Sequence, residues 1–271
     1  MKRDRGKPFL EILSLALNED YRFPILEVFA FLYALATFTF ASPGAYFSTE
    51  GISGENIAYN LTFSALGPSL FAFMILIFKN LAYEFGSDIE KGVIQTYLSY
   101  PLKRHSILSA KLLSSIILSL LILLGVQISA LYLLAPEAIS QHFDTVLLTY
   151  AANLSPMLFI SGIILLATLL LRRGGLALVF GIALYFMFSI ASSMLMFMAL
   201  ATKSPTTLKL LSIFYPSTAL NLYYGMQAYP GASEFWAPIF LEVAGYTIVS
   251  YLITIFTFAV AYIYFCRRFS L

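Results

Sequence analysis

Along most of the chain the apolar residues run on without the two-residue or 3.6-residue alternation of a half-buried element, and short polar stretches separate the runs. Six runs stand out: Pro24 to Phe40, Leu61 to Leu81, Ile107 to Leu134, Val146 to Leu171, Leu176 to Ala201 and Ile239 to Phe265. A helix rises about 1.5 Å per residue, so about 20 apolar residues cross a hydrocarbon layer roughly 30 Å thick. Inside lipid the backbone must bond to itself, and continuous runs do this as helices, whereas barrel strands would alternate polar with apolar positions. The pattern therefore predicts an all-α polytopic membrane protein with six transmembrane helices.

Two further stretches carry a helical period of their own. Between residues 7 and 22, Lys7, Glu11, Ser14, Asn18 and Arg22 recur on one side, with Phe9, Leu10, Leu13, Ala16 and Leu17 on the other. This predicts an amphipathic helix lying at the membrane interface before the first span. The segment from Thr202 to Pro238 is too rich in Leu and Tyr for a free loop, and predicts short outer helices folded back on the bundle, broken near Pro216 and at Pro230-Gly231.

Composition agrees with the pattern: of 271 residues 60% are hydrophobic and 11% charged, too few charges to cover a soluble domain. A net charge of +2 with scattered bases argues against nucleic-acid binding. The placement of Lys and Arg orients the chain. Lys2, Arg3, Arg5, Lys7 and Arg22 precede the first run, Lys79, Lys91, Lys103, Arg104 and Lys111 flank the second connection, Arg172 and Arg173 form the fourth, and Arg267 and Arg268 follow the last run; residues 41–60 and 135–145 have none. Positive residues stay on the cytoplasmic side, so both termini are expected there, in a multi-pass protein of the plasma membrane. The mixed charge of the leader argues against a cleavable signal.

Candidate catalytic chemistry is sparse. His105 and His142 are expected on opposite sides of the membrane, Cys266 stands alone, and the methionines between Met187 and Met198 have the character of packing residues, so no metal or cofactor site is expected. No GxxxxGK[ST] phosphate loop occurs, so no nucleotide-hydrolysing site is expected within the chain. Arg172-Arg173-Gly174-Gly175 reads as a tight turn in which the glycines supply positive φ.

The second connection differs from the rest. From Tyr83 to Lys111 it reads YEFGSDIEKGVIQTYLSYPLKRHSILSAK: Glu84, Asp88, Glu90 and Lys91, then Gly92, an amphipathic turn with Val93, Ile94, Tyr97 and Leu98, a stop at Pro101, and Arg104 and Lys111 entering the third run. A short charged helix held at the surface between two spans is suited to pressing on a soluble partner. In Asp88, Glu90, Gly92, Leu98, Pro101, Arg104 and Lys111 the chain resembles permease subunits of the ATP-binding-cassette type-2 exporter family, although Val93 stands where a threonine is common. The six spans, the interfacial helix and the semi-buried segment before the last span extend the resemblance over nearly the whole chain.

That resemblance implies a translocation path formed with a second permease copy, identical or not, and driven by separate ATP-binding subunits that carry the nucleotide. Residues 84–101 would be the coupling helix, contributing Glu84, Asp88, Glu90, Lys91, Gly92, Leu98 and Pro101, with Arg104 beside it; Arg172 and Arg173 would make a smaller second contact. Two other classes remain open: a secondary transporter driven by an ion gradient, which needs acids or bases inside the membrane, and a membrane-bound enzyme of lipid or glycan metabolism.

Overall fold

The computed structural model describes residues 7–43, 53–99, 103–224 and 236–267. All regular structure among them is helical: α1 (Lys7–Asp20), α2 (Ile25–Phe40), α3 (Gly54–Glu90), α4 (Val93–Ser99), α5 (Arg104–Leu134), α6 (Pro136–Gln141), α7 (Phe143–Leu171), α8 (Gly174–Thr202), α9 (Pro205–Phe214), α10 (Pro216–Tyr223) and α11 (Phe240–Arg267). The chain is an all-α multi-pass membrane protein. Five helices, α3, α5, α7, α8 and α11, are each long and apolar enough to cross a membrane. The sixth crossing is less simple than a run of apolar residues implies. α2 has 16 residues, about 24 Å at the helical rise, and it follows α1 across a break bent by 62°. The bent pair makes a sixth span only if it is taken as one unit.

Burial ranks the helices. The most apolar stretch of α7 is 61% buried and that of α3 56%, against 22% for both α8 and α11, so α7 and α3 form the spine and α8 and α11 flank it. α7 packs most extensively on α11, then on α3 and α8, while α2 lies against α3 and α5. The seam between α7 and α11 is made close by small residues. Ser155 and Ser250 share a hydrogen bond of 2.5 Å, Tyr251 donates to the Ala151 carbonyl at 3.2 Å, and a Cβ on Gly162 would lie 2.4 Å from Thr257 Oγ1.

One neutral polar side chain ties four helices at mid-bundle. Gln127 of α5 is fully buried; its Nε2 donates to Ser69 Oγ at 2.7 Å, the Ala65 carbonyl at 3.0 Å and Thr37 Oγ1 at 3.3 Å, and its Oε1 accepts from Tyr150 at 3.1 Å. Ala65 and Ser69 flank Pro68, where the proline nitrogen leaves the α3 ladder one donor short.

The amphipathic leader folds as α1, but its buried stripe is not wholly apolar. Ile12, Ala16 and Asp20, four residues apart, are buried, whereas Leu10 is 61% exposed. The segment after α8 forms α9 and α10, separated at Tyr215-Pro216 as the proline spacing predicts, and Pro230-Gly231 lies outside the described residues. Tyr59 of α3 stacks on Tyr224 at 4.2 Å and donates to Asn221 of α10 at 2.5 Å, while Tyr224 donates to Glu55 at 2.8 Å. These contacts fix α10 at the end of the bundle opposite Arg172. His142 lies at that end too, beside Gly54, and His105 opens α5 at the other.

Candidate functional site

The end of the bundle that holds Arg172 also holds the segment between α3 and α5, and the backbone decides its shape. α3 does not stop where its apolar run stops; it continues to Glu90 and breaks at Lys91-Gly92. Gly92 has φ +75, its N–H donates to the Ile89 carbonyl at 3.2 Å, and its own carbonyl accepts from Thr96 N–H at 3.1 Å. A residue with a Cβ is strained at that φ, so the glycine lets one helix end and α4 begin within two residues. Ile94 of α4 is buried, Tyr97 and Leu98 are half-buried, and Gln95 and Thr96 are exposed. α4 is thus a short surface helix pinned by one apolar edge. Burial first, then the nearby carboxylates of Glu19 and Asp88, raises the Tyr97 phenol above its ordinary range.

The Arg172-Arg173 turn lies against the same segment. A Cβ on Gly86 would come 2.6 Å from Gly174 Cα, and one on Gly174 would come 2.4 Å from the Tyr83 carbonyl oxygen. The left-handed residue of this turn is Arg172, at φ 55, and not a glycine as the sequence suggested; Gly174 opens α8 and is required for the close approach of two backbones. Residues 83–92 and 172–174, distant in sequence, therefore form one surface.

Beneath that surface is a buried cluster of charge. Lys111 of α5 is 5% exposed; its Nζ lies 2.6 Å from Glu19 Oε2, 3.3 Å from Asp88 Oδ2 and 3.6 Å from Asp20 Oδ1. One ammonium thus joins the end of α1, the end of α3 and the start of α5. Asp20, fully buried, accepts at Oδ2 from Ser114 at 2.5 Å and Ser115 at 3.1 Å. Tyr21 donates to the Ser114 carbonyl at 3.0 Å and shares a hydrogen bond of 2.8 Å with Ser119. Lys79 pairs with Glu84 at 2.5 Å and donates to the Asp20 carbonyl at 3.1 Å.

Two π turns, Lys79–Glu84 and Leu113–Leu118, make this cluster possible. Residues five apart point about 140° away from each other on a 3.6-residue helix, but the i→i+5 bonding of a π turn brings them nearly over one another. The Lys79–Glu84 pair depends on that. The cluster holds four carboxylates, Glu19, Asp20, Glu84 and Asp88, for two lysines. Asp20 Oδ1, Glu84 Oε2, Asp88 Oδ2 and Asn80 Nδ2 are buried without a hydrogen bond among the described residues. Buried ions are costly unless paired, so this cluster holds its elements in one arrangement more than it adds stability.

The residues expected at a partner surface therefore divide. Glu90 and Lys91 are exposed beside α4, and Arg104, Arg172 and Arg173 are exposed as well. Glu84 and Asp88 turn inward to Lys79 and Lys111, because α3 is still a packed helix at those positions. Gly92 shapes the turn, Leu98 helps pin α4, and Pro101 lies outside the described residues. Residues 84–101 are accordingly not one helix; 84–90 end α3, and α4 begins after the glycine. Glu19, Asp20, Tyr21, Lys79, Asn80, Ser114 and Ser115 were not expected at this site. One signal could have found part of the cluster: Lys111 is a charge inside an apolar run, and such a charge requires a partner.

No group of three or more His, Cys, Asp or Glu side chains among the described residues is arranged to hold a metal ion. No family model matches this chain, and no curated protein matches it.

Proposed function

We propose that this chain is the membrane-spanning permease subunit of an ATP-driven exporter of the ATP-binding-cassette class, paired with a second permease copy and docked through residues 84–104 and 172–173 onto separate ATP-binding subunits at the cytoplasmic face. The observation that carries this reading is the joint surface at the Arg172 end. The end of α3, which closes at Glu90 and Lys91 beside the surface helix α4, abuts the Arg172-Arg173 turn through the Gly86–Gly174 backbone contact. Lys111 links the same segment rigidly to α1 and α5. A push on α4 is transmitted to three helices at once, as a rigid-body switch requires. Cytoplasmic placement of both termini, a plasma-membrane location and a non-catalytic role for this subunit belong to the same reading.

Co-purification with an ATP-binding-cassette ATPase, followed by vesicle transport assays, tests it. Glu90→Ala or Gly92→Val should leave ATP turnover and abolish its coupling to transport. Unchanged coupling in both, or labelling of residues 84–104 from the external face, overturns the assignment.

A second reading, an ion-gradient-driven transporter, draws on one observation: four carboxylates around two lysines at a helix junction is the sort of buried acid cluster that carries protons. Transport that survives ATP depletion but stops when the proton gradient is collapsed selects this reading.

A further inference from the structure

At the end of the bundle opposite Arg172, α8, α9 and α10 line an open hollow of about 370 Å³, within the roughly 300–1,000 Å³ range of small-ligand sites. Its polar wall is made of hydroxyls and one carboxamide: Ser192 and Ser193 of α8, Tyr215 between α9 and α10, and Ser217, Thr218 and Asn221 of α10. Lys, Arg, Asp, Glu and His are absent from the described residues that line it. The Tyr215 phenol, which meets Ser192, is pushed up to about 12 by burial and so stays neutral. Ser192 and Ser193 both donate to the Ser189 carbonyl, at 2.9 and 3.0 Å, which leaves their oxygens as acceptors. Asn221 is held in place by the Tyr59 hydroxyl.

This hollow runs into a second, shallow one of about 510 Å³ lined by the outer face of α8 alone, with which it shares Ser193 and Phe197. That hollow is apolar, walled by Ile190, Met194, Phe197 and Met198, and these side chains are more than half exposed. An uncharged hydrogen-bonding pocket continuous with an apolar groove has the two-part chemistry of an amphiphile. The hollow supplies no countercharge for a phosphate or an ammonium. A sugar or polyol offers hydroxyls that both donate and accept, matching the wall.

We propose that these joined cavities bind an uncharged amphiphile with a hydroxyl-rich headgroup, its headgroup beneath α9 and α10 and its chain along α8. As a binding site it needs no motor subunit. As the cargo class of the exporter it rests on the permease reading.

The full chain in phosphatidylcholine nanodiscs, without any ATPase, is exposed to a glucosyl diacylglycerol carrying a diazirine in one acyl chain. Adducts should map to residues 190–198, saturate, and be competed by unlabelled glucosyl diacylglycerol but not by phosphatidylglycerol or free glucose. Ser193→Val with Ser217→Val, both on the cavity wall, should weaken binding about tenfold through loss of two neutral hydrogen bonds. Ser217→Lys should turn the preference toward phosphatidylglycerol, a gain that misfolding does not mimic. Labelling spread evenly over α5, α8 and α11, equal competition by phosphatidylglycerol, or equal competition by free glucose overturns the proposal. Site labelling together with no response of any ATP-binding partner keeps the site and removes the permease reading; absent labelling together with uncoupling by Gly92→Val does the reverse.

Discussion

Lys111 and Gln127 lie on the same helix about 24 Å apart at the helical rise, each fully or nearly buried and each joining separate helices, yet one region is built from ions and the other from neutral groups. Around Lys111 four carboxylates and two ammonium groups sit where α1 meets the ends of α3 and α5, and Glu19 remains partly exposed. Around Gln127 there are two hydroxyl residues, one phenol and a backbone carbonyl. The difference follows depth. A charge costs most at the centre of the membrane and much less near a helix end that approaches water, so ionic ties are affordable at the Arg172 end and a carboxamide serves at mid-bundle. The ionic region also distorts its helices into π turns, which the neutral region does without.

Breaking each region separately sharpens the contrast. Lys111→Met removes the ammonium that pairs with the Asp20 and Asp88 carboxylates and leaves them buried; a loss of about 3–5 kcal/mol is expected, read as a lowered thermal midpoint of the purified protein. Adding Asp20→Asn and Asp88→Asn to Lys111→Met should restore much of the midpoint, since the uncompensated charges are gone; no recovery would mean that shape and not charge governs the cluster. Gly174→Val tests the backbone contact that frames the charged end. Its Cβ would meet the Tyr83 carbonyl, which cannot yield as a flexible side chain would, and about 1–3 kcal/mol should be lost. Gly175→Val, with open space at the Cβ, is the control and should cost far less.

Gln127→Leu should cost less than Lys111→Met, about 1–2 kcal/mol, because hydrogen bonds within membranes average below about 1 kcal/mol each and no charge is stranded. A larger loss for Gln127→Leu than for Lys111→Met would reverse the reading of depth. Smallest of all is the expected stability change for Lys91→Ala, within about 0.5 kcal/mol, since the side chain is exposed. Under the proposed permease function its effect would fall on coupling, which an ATPase-stimulation assay with the partner present reads.

Much of the architecture is legible in the run lengths alone, because a continuous apolar run of 20 or more residues has few structural alternatives in lipid. α3, α5, α7 and α8 each contain their predicted runs, α11 contains its run from Phe240 onward, and α9 and α10 divide at Pro216 as proline chemistry requires. The first span was the least legible, since a run of 16 or 17 apolar residues leaves open whether the preceding helix joins it. At the site, the amphipathic turn after Gly92 was readable from local pattern, whereas the break at Gly92 within the expected helix 84–101 was not. The inward turn of Glu84 and Asp88 was not. An acid near the end of a span has the same sequence signature whether it faces water or a lysine from another helix.

Residue order by itself determined that this chain folds as helices crossing a membrane, where their bases concentrate, and that residues 83–111 differ from every other connection. Those are consequences of short-range chemistry: backbone groups that must bond within their own segment and glycines that accept a left-handed turn. Tertiary structure alone decided that Glu19 and Asp20, over 90 residues upstream, provide the counterions of Lys111, that residues 83–87 touch Gly174 of the Arg172 turn, and that α8 and α10 line an uncharged hollow. Each of these depends on where helices meet, and neither periodicity nor spacing encodes the faces that two distant helices present to each other.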